Sequence, residues 1–551
     1  MERSGLTPRR SGVAVAVLTA GLGTLALNRN LVGGFYDDGL YAGIALAVAR
    51  GMGFVHPHLP GTPAVVHYPP LYPLMLAPLF GAFPVPVAAY LGKVLNLVLA
   101  ALSAGLIAWH AARTRLLGND APAWLVPVVV TTAAIAIPVL ATQAVLFSEP
   151  LFALLLAAAV ILADAPPAWL SPSGSAVLAG LAAALALLTR SIGVAAGGGI
   201  VLFLLHARRA PLKVAVGAAA PVALAGAGWG LWLLRHRGGI DPALAMNYGS
   251  YLETVHQAGL GVFWPATRDL LRPLGNLTLG WLPWAPLYYV FAAAAAAVGG
   301  YGLYGLVRRS AIAWTLACYF LILMVWPFPS DRFLWGVLPW LALVWVSGAI
   351  AAWRHRRLRL SVVLLSAIMG LGYGLIEVRG LAGRWWGTMA QRISSNFSEL
   401  LPRLDSLPPG AVLATDDEAL VWLYTRRTTV PFYVYSYRGR TETRPTPAEQ
   451  RSYLERQGVT HILFSGFGSG SDVELNALLG AYPGWLTVIY RWSGGRALLQ
   501  VRPDSRVVTR PPRPAHATGE GSCEIPGFPV TSLGVAGRSY RSNAFHCNVF
   551  R

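Results

Sequence analysis

Charged residues are scarce in this chain of 551 residues. Asp, Glu, Lys and Arg together make up only 12% of it, against 55% for hydrophobic residues. A soluble protein usually carries about twice that charged fraction. The apolar residues also gather into runs long enough to cross a bilayer. The composition therefore argues against an ordinary soluble enzyme and predicts an integral membrane protein.

Acidic residues are fewer than basic ones, 24 against 43, so the formal net charge is +19. The arginines stand at the ends of apolar runs and in the C-terminal tail, without a basic stripe interleaved with aromatic residues. This distribution is typical of anchoring against anionic lipid heads. We therefore expect membrane lipids as partners and no nucleic acid.

Cysteine is also rare, with three residues in the chain, and no Cys-x-x-Cys or Cys/His spacing predicts a metal site. Cys318 lies in an apolar run and is interpreted as inert packing. Cys523 and Cys547 lie in a tail predicted to be outside the membrane. An oxidising compartment would permit a disulfide there, but two free thiols are equally compatible with the sequence.

About eleven apolar runs approach the 17–25 residues that a membrane-spanning helix needs. They are residues 13–27, 86–109, 123–142, 145–163, 175–189, 192–206, 213–234, 284–307, 311–328, 333–352 and 360–378. The two short runs at 175–206 meet at Thr189-Arg190-Ser191. This junction predicts a broken or re-entrant pair, which protein or a water-filled cavity must cover.

Basic residues in alternate loops predict the orientation. A cytoplasmic N-terminus places the basic segments on the cytoplasmic side, namely 9–10, 110–115, 206–213, 308–309 and 354–359. The loop 164–173 would lie there too, although it has no basic residue. The outer side then receives the loops 33–85 and 235–283 and everything after about residue 380. The chain is thus predicted to be a multi-pass protein of the cell (plasma or inner) membrane.

The composition changes after residue 380, where charge and proline increase and apolar runs shorten to strand length. Strands are predicted at 411–415, 430–435, 461–464 and 486–490, and helices at 416–425 and 447–457, with Asp416 and Thr446 as N-caps. This alternation predicts a small α/β domain. The expected fold is a polytopic α-helical membrane domain over 1–380, an extracytoplasmic α/β domain over 385–505 and a Pro/Arg-rich disordered tail over 506–551.

The first outer loop carries two adjacent carboxylates, Asp37 and Asp38, followed by His56, His58 and the aromatic, proline-rich segment 67–73. Ionisable residues at a membrane boundary are candidates for function, but Asp is also an ordinary turn residue. Prolines stiffen the loop, and its aromatics suit the headgroup level. Two histidines without a third ligand are weak evidence for a metal.

Charged residues recur where other spans meet the outer face, at Lys93, Glu149, Arg190 and Arg332. The predicted orientation places them in one layer with the acidic pair. Arginine binds phosphate through two parallel hydrogen bonds. The layer therefore predicts a site that holds a phosphate and activates a hydroxyl. The alternative for each cation is snorkelling to the interface, which is most credible for Arg332.

These motifs resemble the GT-C type of membrane glycosyltransferase, in the group of protein O-mannosyltransferases and lipid A aminoarabinose transferases. The matching segments are Asp37-Asp38, Tyr41, Gly51-Met52-Gly53, Tyr68-Pro69-Pro70-Leu71-Tyr72-Pro73, Ser148-Glu149-Pro150-Leu151-Phe152, Thr189-Arg190-Ser191 and Arg332-Phe333-Leu334 followed by Pro339. The resemblance covers about residues 10–380, and the segment 385–505 is similar to the outer domain common among these enzymes.

The resemblance implies transfer of a sugar from a polyprenyl-phosphate donor to a hydroxyl of a lipid, glycan or protein acceptor. The transfer would invert the anomeric carbon on the extracytoplasmic side. Asp37 would be the general base, and Asp38 would orient the acceptor, its partner residues or a divalent metal. The implied donor-phosphate ligands are Lys93, Arg190 and Arg332. The implied substrate-binding residues are Glu149, His67, Tyr68 and Tyr72.

Two departures from the family pattern leave the sugar and the metal open. The second acidic residue is Asp38 rather than the commoner Glu, and His67 stands where some relatives have Lys. A transporter of a lipid or sugar is an alternative, although it should show an inverted repeat with discontinuous spans in both halves. A non-catalytic scaffold that displays the outer domain is another, and its activity would not depend on Asp37.

Overall fold

The computed structural model describes residues 7–502 apart from 252–254, 257–258, 280–284, 439–440 and 467–470. A large helical part precedes residue 405, and a small unit of mixed helices and strands follows it. The predicted tail, with Cys523 and Cys547, lies outside the described residues.

The helical part is built from segments of very different length. Its α-helices are α1 (Pro8–Gly23), α2 (Asp37–Ala49), α3 (Leu71–Ala82), α4 (Val85–Arg113), α5 (Leu125–Ala134), α6 (Ile137–Ala144), α7 (Glu149–Asp164), α8 (Pro172–Thr189), α9 (Val194–Leu202), α10 (Leu212–His236), α11 (Ala245–Tyr248), α12 (Phe263–Leu279), α13 (Ala285–Leu306), α14 (Ala311–Met324), α15 (Asp331–Trp335), α16 (Leu338–Trp353), α17 (Arg359–Gly383) and α18 (Trp385–Leu404).

Five of the described helical segments are long and apolar enough to cross a membrane. They are α4, α8, α10, residues 287–306 of α13, and α17 together with α18; α5 and α6, bent by 53°, make a sixth if they form one span. The predicted number of about eleven is not confirmed. Several predicted runs form helices of only 14–16 residues, namely α1, α7, α14 and α16. Such helices rise only about 21–24 Å.

Breaks in the helices account for part of this difference. The predicted span 123–142 is divided between α5 and α6, and Pro138 occupies the first turn of α6, where its missing N–H costs nothing. The predicted break at Thr189-Arg190-Ser191 is confirmed. There α8 ends at Thr189, and Arg190 has an extended backbone (φ −148°, ψ 130°) before a 3-10 turn begins at Ser191.

Four of the predicted cytoplasmic loops meet around one buried carboxylate at Asp164. It accepts hydrogen bonds from the Ser310 hydroxyl and from the backbone N–H of Ala311 (2.6 Å), and it lies 2.9 Å from His110 Nε2. Arg208 donates to the carbonyl of Asp164 (2.5 Å). The loop without basic residues therefore lies at the same end as its basic neighbours. The compartment that this end faces stays a prediction.

The C-terminal unit is the predicted small α/β domain. Its five-stranded sheet has the order β2-β1-β5-β7-β6, with β1 parallel to β2 and β5, and β7 antiparallel to β5 and β6. The strands are β1 (Leu413–Thr415), β2 (Thr429–Pro431), β5 (His461–Phe464), β6 (Leu486–Arg491) and β7 (Ala497–Val501), with a separate hairpin of β3 (Ser436–Arg438) and β4 (Thr441–Thr443). The helices are α19 (Glu418–Thr425), α20 (Pro447–Arg456) and α21 (Ser471–Ala481).

One of the two predicted N-caps in this unit is wrong. Helix α19 begins at Glu418, and Asp416 lies too early to cap it. Asp416 instead accepts hydrogen bonds from the backbone N–H of Tyr433 (3.2 Å) and from the Ser471 hydroxyl. These bonds connect the end of β1 to the residues after β2 and to the start of α21. The other cap is confirmed, because Thr446 forms a reciprocal capping box with the third residue of α20.

The first outer loop packs directly against the C-terminal unit. The backbone N–H of Thr429 donates to the carbonyl of His58 (2.8 Å). Gly33 (φ +113°) approaches α19 so closely that an added Cβ would lie 2.5 Å from Leu420 Cβ. Glycine is required here for both its backbone angle and its missing side chain. The loop and the C-terminal unit therefore lie at the same end of the helical part.

Candidate active site

Asp37 is the first residue of α2 and follows a strained residue. Tyr36 has φ 60° and ψ −71°, a backbone conformation that residues with side chains rarely adopt. The Asp37 carboxylate accepts a hydrogen bond from the Tyr68 hydroxyl (2.5 Å) and another from the Arg332 guanidinium. It lines a large cavity. The first outer loop thus presents one carboxylate to this cavity.

The neighbouring carboxylate, Asp38, has different surroundings. It is 1% exposed and accepts hydrogen bonds from three backbone N–H groups, those of Gly33 (3.0 Å), Phe35 (2.9 Å) and Gly39 (3.0 Å). These contacts shape the loop that carries Asp37. The predicted catalytic role of Asp38 stays a prediction, and its observed contacts are those of a residue that organises the backbone.

The surroundings also separate the pKa values of the two carboxyls. Burial raises the pKa of Asp37, but the Arg332 guanidinium and the Tyr68 hydroxyl outweigh it and hold that pKa below its ordinary value. Burial prevails at Asp38 and raises its pKa, although backbone N–H groups oppose the shift. The surroundings of Asp37 therefore favour its ionised form, whereas burial of Asp38 opposes ionisation.

Arg332 joins Asp37 to a second carboxylate, Glu149. Its Nε donates to Glu149 Oε1 (2.6 Å) and its Nη2 to Oε2 (3.4 Å). Arg190 Nη1 lies 2.9 Å from the same Glu149 Oε1, and the Glu149 side chain is only 3% exposed. Four of the predicted site residues, from four separate parts of the sequence, therefore form one cluster with two negative and two positive charges.

Aromatic rings and a hydroxyl fix the two guanidinium groups of this cluster. The Arg332 guanidinium carbon lies 3.6 Å from the centre of the Phe147 ring, and that of Arg190 lies 5.0 Å from the Phe333 ring. Arg190 Nη1 also donates to the Ser148 hydroxyl oxygen (3.1 Å). Rings below and carboxylates beside each guanidinium hold it in one orientation.

The cavity at this cluster has a volume of about 2130 Å³. Asp37, Arg190 and Arg332 line its polar end. Its other walls are mainly apolar and come from several helices, among them α5, α12, α13, α16 and α17. The C-terminal unit adds Tyr435 and Arg444 to the lining. A charged site thus lies in a large, mainly apolar cavity.

Two of the predicted substrate-binding residues, His67 and Tyr68, also line the cavity. His67 Nδ1 lies 2.7 Å from the carbonyl of Gly249, which ties the first outer loop to the loop after α10. Burial lowers the pKa of His67 despite the nearby Asp37 carboxylate. His67 is therefore held in place by a neutral hydrogen bond at the edge of the cluster.

Four predicted site residues are not in the described cavity lining: Asp38, Glu149, Lys93 and Tyr72. Lys93 Nζ donates to Asn28 Oδ1 (2.8 Å), to the Asn28 carbonyl (3.4 Å) and to the Asn30 carbonyl (3.0 Å), which uses all three of its donors. The Tyr72 hydroxyl donates to Asn96 Oδ1 (3.0 Å). Their predicted contacts with substrate stay predictions, and their observed partners are protein groups.

Several cavity residues were missed from the sequence. Arg272 and Asp331 form an ion pair of 2.7 Å and both line the cavity. The only feature of the sequence that indicated Asp331 was its position beside Arg332. Tyr435 and Arg444 of the C-terminal unit had none, since they lie about 400 residues after Asp37 in the sequence.

The divalent metal stays a prediction. Among the residues that the structure describes, no group of three or more His, Cys, Asp or Glu side chains is placed to hold a metal ion. His58 Nε2 instead lies 2.9 Å from the Tyr248 hydroxyl, which donates to Glu418 of the C-terminal unit. Burial lowers the pKa of His58 to about 3 and the pKa of His56 well below its ordinary value. Both imidazoles are therefore neutral near neutral pH.

Eleven chains among the solved structures match this protein, whereas no family model and no curated protein matches it. One is ArnT from Cupriavidus metallidurans bound to undecaprenyl phosphate, with TM-score 0.49, 14% identity and coverage of 88% of this chain and 97% of that one. Another is the oligosaccharyltransferase AglB from Archaeoglobus fulgidus with an inhibitory peptide and a dolichol-phosphate, with TM-score 0.45, 13% identity and coverage of 86% and 72%. With TM-scores below 0.5, these likenesses do not by themselves assign an activity to the chain.

Proposed function

We propose that this chain is an inverting glycosyltransferase of the membrane. It would move a sugar from a polyprenyl-phosphate donor to an acceptor hydroxyl on the extracytoplasmic side. One observation carries the proposal: an ionised carboxylate, Asp37, and a guanidinium, Arg332, face the same cavity, and that cavity continues between apolar helices. A general base, an anion site and a lipid-sized apolar space are the three parts that this reaction requires.

The apolar walls favour a lipid-linked donor over a soluble nucleotide sugar. Helices α5, α13, α16 and α17 supply side chains such as Val129, Leu303, Leu341 and Met369 to the wall. Burying a polyprenyl chain against such side chains is favourable because it removes apolar surface from water. A nucleotide placed against these four apolar side chains would leave its polar groups without partners there.

In the proposed reaction, the acceptor oxygen attacks the anomeric carbon as its proton passes to the Asp37 carboxylate. The bond between that carbon and the phosphate oxygen breaks, and polyprenyl phosphate leaves with the electron pair. A single displacement from the opposite face inverts the anomeric carbon. Arg332 and Arg190 are placed to stabilise the charge on the leaving phosphate. A positioned carboxylate base contributes roughly 100- to 10,000-fold to such a rate.

The charge balance of the cluster suggests how donor binding prepares the base. Two carboxylates and two guanidiniums neutralise each other, and Arg332 is bonded to Asp37. An entering phosphate competes with Asp37 for that guanidinium. Asp37 then loses a strong hydrogen-bond partner and becomes a better proton acceptor when the donor is in place.

The test is transfer of radiolabelled sugar from polyprenyl-phosphate donors to candidate acceptors by the purified protein. Asp37→Asn keeps the size of the side chain but removes the base, so transfer should fall by at least about 100-fold. Asp120→Asn is the matched control, because Asp120 is 80% exposed and pairs with Arg354 away from the cavity. Absence of transfer from every donor, or equal rates for wild type and Asp37→Asn, would refute the proposal.

A further inference from the structure

We infer that Asn96, oriented by Tyr72, is a positioning residue that sets the place of Glu149 and Phe147 in the catalytic cluster. Asn96 is a fully buried residue of α4. It is not itself one of the residues that line the described cavity. The inference rests on the proposed function for its catalytic consequence, but its structural part can be measured independently.

The side-chain amide of Asn96 binds the linker between α6 and α7. Its Nδ2 donates to the carbonyls of Thr142 (3.2 Å), Val145 (3.1 Å) and Phe147 (3.0 Å). The two N–H groups of the amide are thus shared among three carbonyls. These carbonyls belong to the end of α6 and the non-helical residues after it, where helical partners are missing. Asn96 supplies a donor to all three carbonyls, of which that of Val145 also accepts from the backbone N–H of Phe147 (3.1 Å).

Tyr72 determines which way the amide faces. The Tyr72 hydroxyl donates to Asn96 Oδ1 (3.0 Å), and both side chains are fully buried. Because this bond engages the oxygen, the NH2 group is directed towards the linker. Tyr72 therefore acts on the linker through Asn96.

Asn28 and Lys93 also hold this linker, through the last residue of α6. Asn28 Nδ2 donates to the carbonyl of Ala144 (2.8 Å), the last residue of α6. Lys93, one turn before Asn96 on α4, donates to Asn28 Oδ1 (2.8 Å). Asn96 directly and Lys93 through Asn28 thus hold the same short segment, residues 142–147.

The clamped linker carries groups that touch the catalytic cluster. Phe147 lies beneath the Arg332 guanidinium, and Ser148 and Glu149 contact Arg190. Release of the linker would move the carboxylate that anchors both guanidiniums. A misplacement of about 1 Å in a catalytic site can cost about 100-fold in rate. Asn96 therefore influences the reaction through geometry, with no contact to the substrate.

The experiment compares Asn96→Ala and Tyr72→Phe with Ser175→Ala. Ser175 is the matched control because its hydroxyl also donates to a buried carbonyl, that of Leu162 (2.6 Å) at the far end of α7. Three quantities are measured on each purified variant: hydrogen exchange of the peptide 140–155, the unfolding temperature, and kcat and KM for the donor per folded molecule.

We expect faster exchange of the peptide 140–155 in Asn96→Ala and a smaller increase in Tyr72→Phe. The kcat should fall about 10- to 100-fold in Asn96→Ala, less in Tyr72→Phe, with KM changed less than about threefold. Ser175→Ala should match wild type in exchange and kcat. A purely structural role would lower the unfolding temperature and leave kcat per folded molecule unchanged, which would overturn the inference.

The two proposals fail in different ways. If wild type transfers sugar but Asn96→Ala keeps its kcat, the positioning role is wrong and the proposed function stands. If wild type transfers nothing, the proposed function is wrong. The exchange measurement then decides alone whether Asn96 holds the linker, and unchanged exchange in Asn96→Ala would overturn that as well.

Discussion

Replacement of Arg332 by methionine tests the charge balance of the catalytic cluster. Arg332 makes two contacts with Glu149, at 2.6 and 3.4 Å, and one with Asp37. Without it the cluster retains two carboxylates and only the Arg190 guanidinium, so its formal charge changes from zero to minus one. Loss of one preorganised donor to developing charge typically costs about 100- to 1000-fold in kcat. We expect a fall of this size in Arg332→Met.

The same change should move the acid limb of the pH–rate profile. Arg332 helps to hold the pKa of Asp37 below its ordinary value, against burial, which raises it. In Arg332→Met the pKa of Asp37 therefore rises. A carboxylate base is active when deprotonated, so activity is lost as pH falls through its pKa, and a higher pKa moves this loss to higher pH. Arg332→Lys keeps the positive charge but loses the planar guanidinium with its paired donors. The acid limb of this variant should therefore lie between those of wild type and Arg332→Met.

The assay is the pH dependence of kcat/KM for sugar transfer by wild type, Arg332→Met and Arg332→Lys. The unfolding temperature of each variant is measured across the same pH range, so that loss of folded protein is separated from loss of activity. An acid limb in Arg332→Met that coincides with wild type, or lies at lower pH, would refute the coupling between Arg332 and Asp37.

Three further perturbations have defined outcomes. Asp38→Asn removes an acceptor for a backbone N–H, so it should lower the unfolding temperature. It should reduce kcat per folded molecule far less than Asp37→Asn does. Equal losses of kcat would contradict the assignment of Asp37 as the base and Asp38 as a residue that organises the backbone. Gly33→Ala places a Cβ 2.5 Å from Leu420 Cβ, so limited proteolysis of the C-terminal unit should accelerate, whereas unchanged proteolysis would argue against the close packing. Burial raises the pKa of Glu418 from 4.5 to about 8. Stability should therefore fall as pH rises through that window, and Glu418→Gln should weaken this decline in thermal unfolding.

The sequence predicted most members of the charged cluster, and Lys93 is the exception. Charged residues at the predicted outer ends of spans indicated Glu149, Arg190 and Arg332, and the structure joins all three to Asp37. Sequence spacing alone could not reveal that the Lys93 ammonium donates its hydrogen bonds to backbone carbonyls and to the Asn28 side chain. Those acceptors come from residues more than 60 positions away.

The acidic pair illustrates a second limit. Asp37 and Asp38 are adjacent and chemically identical, so residue type alone does not distinguish them, and only the family resemblance implied a base at Asp37 and an orienting role at Asp38. The strained backbone of Tyr36 and the three N–H groups around Asp38 separate their surroundings, and neither feature is visible in residue types. Residue types therefore predict a site, and the backbone conformation around each carboxylate separates their surroundings.

Helix and strand boundaries show the same distinction. Uniform apolar runs predicted long helices such as α4, but missed the bend between α5 and α6. Helix α18 was missed, although its buried Ile393, Phe397 and Leu400 follow helical spacing in the sequence. The strands of three residues in the hairpin β3–β4 are too short to carry a reliable alternation pattern.

The packing of the first outer loop against the C-terminal unit has a consequence for the order in which the protein matures. Leu31 and Val32 donate to Ser394 and Tyr424, which follow them by 363 and 392 positions. The ribosome makes the loop early and its supports late, and contacts of such sequence separation form slowly. A nascent or truncated chain that lacks the last quarter of the sequence would hold Asp37 on an unsupported loop, so transferase activity should appear only after synthesis is nearly complete.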